Sequence, residues 1–184
     1  MRLFLAIELP EEVRRWLVDH RYRKEWFGFE GFRGTRPENL HATVKFLGEV
    51  AEQRVPDVVA ALRDVTLPGP LDLSIDGFTF FPPRGPIRVF AARIGGTVDA
   101  LKQLHARVED VLEPLGFARE GRPYSPHVTL GRPDSGRRIL GVARQLVAKH
   151  PPSAGPTFVA DGFTLFQSHL RPDGPEYIPL ARFG

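Results

Sequence analysis

One tetrapeptide pattern, His-x-Thr-apolar, occurs twice in this chain of 184 residues, as His41-Ala42-Thr43-Val44 and as His127-Val128-Thr129-Leu130, 86 positions apart. Other segments echo at nearly the same spacing. Arg2-Leu3-Phe4-Leu5-Ala6 is answered 86 positions on by Arg88-Val89-Phe90-Ala91-Ala92, and Asp76-Gly77-Phe78-Thr79 reappears verbatim 85 positions on as Asp161-Gly162-Phe163-Thr164. Three matches in one order at a nearly constant offset point to a duplicated unit, a tandem pair rather than a long array. The repeats are expected at approximately 1–87 and 88–184, folded together as a single bilobal domain over 1–184.

Apolar periodicity alternates strand-like and helix-like stretches in matching order in each repeat. Residues 3–7 read as a buried strand, broken by Glu8 and Pro10 and so too short for a membrane span or a signal-peptide core. Pro10 starts a helix with the stripe Val13, Trp16 and Leu17. Residues 40–47 are strand-like, and the helix that follows carries Val55, Val58, Val59 and Leu62 and ends before Pro68-Gly69-Pro70. Strands at 71–81 and 87–94 flank the turn-rich Pro82-Pro83-Arg84-Gly85-Pro86. In the second repeat Thr97 is expected to cap a helix bearing Val98, Leu101, Leu104, Val108 and Leu112, stopping near Pro114 and Gly116. A strand over 124–131 holds the second motif, 137–149 is helical by pattern, and strands are predicted at 157–167 and 177–182. The fold class is α+β: bilobal, with two pseudo-symmetric antiparallel sheets, helices on their outer faces and a central cleft.

Composition narrows the chemistry. With 42% apolar and 26% charged residues the chain reads as a globular protein able to bury a substantial core. The absence of cysteine excludes disulfides, thiolate nucleophiles and cysteine zinc sites, and it fits a reducing, cytoplasmic setting. The net charge of +3 is mild, yet Lys24, Lys45, Lys102 and Lys149 are the only lysines and the remaining cations are arginine. Arginine suits bidentate phosphate contacts, so a nucleic-acid partner is permitted without being demonstrated.

In a strand, side chains two apart share a face, so His41 with Thr43, and His127 with Thr129, look into one space. Val44 and Phe46, and Val128 and Leu130, are expected on the opposite face against the helices. Duplication then sets the two motifs across a pseudo-two-fold axis. Paired imidazoles suit phosphodiester cleavage, because each titrates near neutrality: one ring accepts a proton from the nucleophile while the other protonates the departing oxygen. The threonine hydroxyls would hold non-bridging oxygens and a guanidinium would offset the charge that builds up in the transition state. Arg132 is the candidate donor, although it stands five positions after His127, so the strand must end or bulge near Gly131 to turn it toward the site. Lys45 has the right parity but is read as a solvated strand residue.

The segments His41-Ala42-Thr43-Val44-Lys45-Phe46-Leu47-Gly48 and Ser125-Pro126-His127-Val128-Thr129-Leu130-Gly131-Arg132 resemble the paired signatures of the two-histidine phosphoesterase superfamily, and within it the RNA 2′,3′-cyclic phosphodiesterases, also called 2′-5′ RNA ligases. The opening Arg2–Ile7, Phe163-Thr164-Leu165-Phe166-Gln167-Ser168 and the closing Tyr177-Ile178-Pro179-Leu180 match the same branch. The resemblance implies hydrolysis of a terminal 2′,3′-cyclic phosphate to a 2′-phosphate without metal or nucleotide cofactor, His41 donating a proton and His127 accepting one. Symmetry alone does not distinguish these roles. It also implies reversible 2′-5′ joining when a 5′-hydroxyl replaces water. The implied partner is RNA with 2′,3′-cyclic phosphate ends, tRNA fragments among them; no membrane and no protein partner is expected. Ala42 departs from the bulkier apolar residue common at that position.

Other histidines receive ordinary readings: His105 as a satisfied histidine on the apolar helix stripe, and His20, His150 and His169 at helix ends or in loops. Tyr124 and some of the phenylalanines are candidates for stacking a base. Competing functions are a non-catalytic nucleotide- or RNA-binding module, a related phosphoesterase acting on small cyclic nucleotides or ADP-ribose cyclic phosphate, and a metal-dependent hydrolase, which the lack of H-x-x-x-H or H-x-D spacing disfavours.

Overall fold

The computed structural model describes residues 1–21, 32–133, 145, 155–172 and 174–184. Its main elements are β1 (Arg2–Glu8), α1 (Glu11–Arg21), β2 (Phe32–Gly34), β3 (His41–Glu49), α2 (Val55–Leu62), β4 (Leu71–Phe81), β5 (Val89–Gly96), α3 (Val98–Leu112), β6 (His127–Pro133), β7 (Thr157–Ala160), β8 (Phe163–Arg171) and β9 (Gly174–Phe183). The helix predicted over 137–149 and His150 lie outside the described residues, Gln145 excepted. Among the described residues no helix is long and apolar enough to cross a membrane.

The strands form an antiparallel sheet in the order β7-β4-β5-β6-β3-β1-β8-β9, with β2 laid on β6. Exchanging β1 with β5, β3 with β6 and β4 with β8 turns the inner six strands of that order into themselves. The pseudo-two-fold therefore passes between β3 and β6, which meet at a single rung, Ala42 opposite Val128. Those two residues are themselves 86 apart, so the two halves of that eight-strand order join at equivalent points.

The lobes are not the repeats. Consecutive antiparallel strands tend to pair, and β4 forms a hairpin with β5 through the proline-rich loop at 82–86. That hairpin carries β4 of the first repeat into the lobe of β5 and β6. In return β8 of the second repeat pairs with β1 in the other lobe. The strand predicted over 157–167 is accordingly two strands, because β7 pairs with β4 while β8 pairs with β1. The chain crosses between lobes at Asp161-Gly162, where a Cβ on Gly162 would stand 2.5 Å from the Phe183 carbonyl oxygen.

Register corrects one of the echoes. Leu5 pairs with Lys45 and with Leu165, while Phe90 pairs with Gly131 and with Phe80, so Leu5 corresponds to Phe90, 85 positions on rather than 86. A one-residue slip would reverse every side chain. With the corrected offset Leu3, Leu5 and Ile7 share the helix face with Phe90, Ala92 and Ile94.

On that face the stripes do what their spacing predicts. Val13 and Leu17 of α1, Val58 and Leu62 of α2, and Leu101, Leu104, Val108 and Leu112 of α3 are buried in one core with Val44, Val128 and Leu130. Each such side chain is worth about 1.5–3 kcal/mol of burial. Thr97 does not cap α3 with its side chain; its hydroxyl donates to the Asp72 carbonyl at 3.1 Å, which fastens the helix start to β4. Beyond α3, Gly116 takes φ +85, the left-handed conformation that ends the last turn. β6 begins at His127, not at 124: Tyr124 turns inward, its hydroxyl donating to the Thr43 carbonyl at 2.8 Å.

Candidate active site

The cleft lies on the sheet face opposite the helices, at the β3–β6 junction. Both strands bulge at equivalent points. Between the Leu5–Lys45 and Ala6–Thr43 pairs Val44 has no partner on β1, and between Phe90–Gly131 and Ala91–Thr129 Leu130 has none on β5. An inserted residue reverses the parity of everything after it. Arg132 is thereby turned to the exposed side with His127 and Thr129, as the sequence required of it. The same bulge in β3 overturns two expectations. Lys45 points into the core rather than to solvent, and Phe46, expected against the helices, is 57% exposed on the cleft side.

Burying Lys45 requires a partner, and α3 supplies it. Lys45 Nζ donates to Glu109 Oε1 at 2.7 Å and to the Ala118 carbonyl at 2.8 Å, the two side chains being 2% and 4% exposed. His105 lies beside this pair, its Nε2 3.4 Å from Glu109 Oε1. That contact is too long to be a good hydrogen bond, and among the described residues the buried Nε2 has no other partner, so His105 is not the satisfied histidine expected. Burial holds its pKa below the ordinary value. Its ring stacks on Tyr124, centroids 4.3 Å apart and planes 7° from parallel. Tyr124, nominated above for base stacking, is thus occupied on one face and at its hydroxyl.

The two motif histidines are held identically. His41 Nδ1–H donates to the Asn39 carbonyl at 2.7 Å, and His127 Nδ1–H donates to the Ser125 carbonyl at 2.8 Å, each acceptor two residues upstream. A carbonyl can only accept, so the proton is fixed on Nδ1 and Nε2 is the working atom of both rings. His41 Nε2 is 3.0 Å from Thr43 Oγ1. Desolvation lowers the His41 pKa to about 4, partly opposed by the Asn39 hydrogen bond and assisted by His127 across the axis. His127 is lowered too, by desolvation first and by Arg132 among the charges, with the Ser125 hydrogen bond opposing. Both rings therefore favour the neutral form when the cleft is empty.

The His127 charge acts on His41 and the Arg132 charge on His127, so each stands near the next, and Thr43 and His127 line one cavity. Thr129 is half-buried on the same strand face. Aromatic side chains frame the site: Phe4 and Tyr177 lie 4.9 and 5.3 Å from the His41 ring, and Phe81 lies 4.7 Å from His127. The sequence reading did not single these out. The alternation of β1 around the buried Leu3 and Leu5 was the available signal for Phe4; for Phe81 and Tyr177 the signal lies in tertiary contacts. His169 stands in β8, not in a loop, and His20 Nδ1 lies 2.7 Å from the Trp16 carbonyl on α1.

A family model described as LigT-like phosphoesterase matches this chain twice, over residues 7–91 and 95–177, one His-x-Thr motif falling in each match. The chain belongs to the LigT-like phosphoesterase family. The chain is similar to the RNA 2′,3′-cyclic phosphodiesterase of Thermus thermophilus, 34% identical across the whole of this chain and 89% of the relative. That of Methanocaldococcus jannaschii is 32% identical across 96% of each chain. Among solved structures, Escherichia coli LigT complexed with 3′-AMP superposes with a TM-score of 0.78 at 27% identity, covering 98% of this chain and 95% of that one. Like these LigT-like relatives, the protein is an enzyme of the phosphoesterase class.

Proposed function

We propose that this LigT-like enzyme hydrolyses the 2′,3′-cyclic phosphate at the end of an RNA to a 2′-phosphate. The observation that carries the reading is the mirrored pair of imidazoles, each donating from Nδ1 to a carbonyl two residues upstream, which leaves Nε2 of each ring as the atom available to exchange a proton. The relatives named as RNA 2′,3′-cyclic phosphodiesterases support the choice of substrate.

In this mechanism neutral His127 Nε2 takes the proton of an attacking water, the water oxygen bonds to phosphorus, and the bond to the 3′-oxygen breaks. His41, protonated at Nε2, gives that oxygen its proton. Each transfer contributes about 10²- to 10⁴-fold. An empty site keeps both rings neutral, so the acidic proton of His41 arrives with the phosphodiester anion, whose charge offsets the desolvation that otherwise depresses the ring. Thr43 Oγ1, already 3.0 Å from His41 Nε2, and Thr129 bind the non-bridging oxygens, and Arg132 balances the charge of the transition state. Every proton has a protein donor or acceptor, and no step calls for a cofactor. With a 5′-hydroxyl in place of water the same steps join RNA ends through a 2′-5′ linkage, tRNA fragments being one source of such ends. Strands of both repeats build each lobe, which supports reading 1–184 as a single domain.

The test is the product formed from adenosine 2′,3′-cyclic phosphate after exhaustive chelation, followed by ³¹P NMR. The 2′-phosphate alone is expected. The 3′-phosphate would overturn the identity of the leaving oxygen, and binding without turnover would make the protein a nucleotide-binding module.

A further inference from the structure

The flanks of the two histidines differ. His41 is closed in by Phe4 and Tyr177. His127 instead opens onto a cavity of about 240 Å³ whose walls include Thr43, Phe46, Phe81, Arg122 and Tyr124. In phosphoryl transfer the attacking and leaving oxygens stand roughly in line. With His41 protonating the 3′-oxygen, the ribose of the cyclic phosphate lies on the His41 side and the nucleophile on the His127 side. A single water needs only about 10–15 Å³ of such space, so the room beside His127 is many times what hydrolysis demands.

We infer that this cavity seats the nucleoside whose 5′-hydroxyl replaces water in 2′-5′ joining, with Phe46 as the plane on which its base stacks and Arg122 as the partner of its 3′-phosphate. The inference rests on the function proposed above. Phe46 is 57% exposed because the bulge at Val44 turns it out of the core, and an exposed aromatic face beside an RNA-cleaving pair is a stacking platform. Tyr124 is less open than Phe46, one face being stacked on His105 and its hydroxyl bonded to Thr43. Arg122 is exposed at the rim and has no hydrogen bond or ion pair among the described residues. The step balances: the 5′-O–H proton passes to His127, O5′ bonds to phosphorus, the bond to O3′ breaks, and O3′ receives the His41 proton. In reverse, the 3′-hydroxyl attacks and O5′ leaves. The pseudo-symmetry is broken where it matters, since the position equivalent to Phe46 is Arg132.

The test compares kcat/KM of wild type, Phe46→Ala, Phe46→Trp and Arg122→Ala on three substrates: adenosine 2′,3′-cyclic phosphate, 2′-5′-linked ApA, and that dinucleotide with a 3′-phosphate on its second nucleoside. Phe46→Ala is expected to slow cleavage of both dinucleotides by roughly 5- to 150-fold, the effect of one lost base stack, with Phe46→Trp restoring it. Arg122→Ala should slow only the 3′-phosphorylated one. Hydrolysis of the cyclic nucleotide should stay within about threefold in all three variants. Equal losses on cyclic nucleotide and dinucleotides, or unimpaired cleavage in Phe46→Ala, would overturn this subsite while leaving the phosphodiesterase reading intact. A wild-type enzyme inert on the cyclic nucleotide would overturn both.

Discussion

Replacing Lys45 by methionine keeps the side chain's length and removes its charge, which isolates the buried ion pair. In the native protein Lys45 Nζ stands 2.7 Å from Glu109 Oε1, with both side chains almost wholly enclosed. Without it, Glu109 Oε1 keeps a 3.4 Å contact from the Glu120 N–H, and Oε2 has no hydrogen-bond partner among the described residues to begin with. Leaving one member of a buried pair uncompensated costs about 3–5 kcal/mol. In a protein of this size each kcal/mol lowers Tm by about 2–4 °C, so Lys45→Met should melt roughly 6–20 °C below wild type by differential scanning calorimetry at pH 7. Adding Glu109→Leu removes the stranded charge and should restore stability to within about 1 kcal/mol of wild type or above it. A single variant as stable as wild type, or a double variant no better than the single, would refute the assignment of Lys45 to the core and with it the bulge that turns Phe46 and Lys45 to opposite faces.

Tyr124→Phe removes the hydroxyl that ties the approach to the second motif to the Thr43 backbone. It should cost about 1–3 kcal/mol in denaturant unfolding and lower kcat more than it raises KM; unchanged stability and kcat would discard the brace. Arg132→Ala should lower kcat for cyclic phosphate hydrolysis at least roughly tenfold, with Arg132→Lys restoring part of it; equal activity in all three would remove Arg132 from the site. Both imidazoles are held below their ordinary 6.5, His41 to about 4, so both limbs of the kcat/KM bell should lie below that value. As pH rises past them the pair loses its one proton and the rate falls, placing the maximum on the acid side of pH 6.5. Bound phosphodiester raises the rings, so kcat should be displaced to higher pH. A kcat/KM maximum above pH 7.5 would contradict this.

The duplicated His-x-Thr motif carried the pairing of the two histidines, because equal parity in two equivalent strands fixes which side chains share a face. The helix stripes were legible for the same reason of period. Arg132 shows how far parity reasoning extends: its odd spacing demanded a bulge, and β6 has one. Applying that demand 86 positions earlier would have placed Lys45 and Phe46 correctly. Charge alone points Lys45 to solvent, whereas the partner that makes its burial tolerable, Glu109, is 64 residues away on α3. The exchange of β4 and β8 between lobes, and the break at Asp161-Gly162 that it requires, depend on which strands become neighbours. Local patterning is silent about that.

If His41 and His127 act on one phosphate, as proposed, losing either ring disables the reaction. Turnover of adenosine 2′,3′-cyclic phosphate by His41→Ala and by His127→Ala, with folding verified by circular dichroism, should fall at least roughly 10²-fold in each. Near-normal turnover in either folded variant would contradict it.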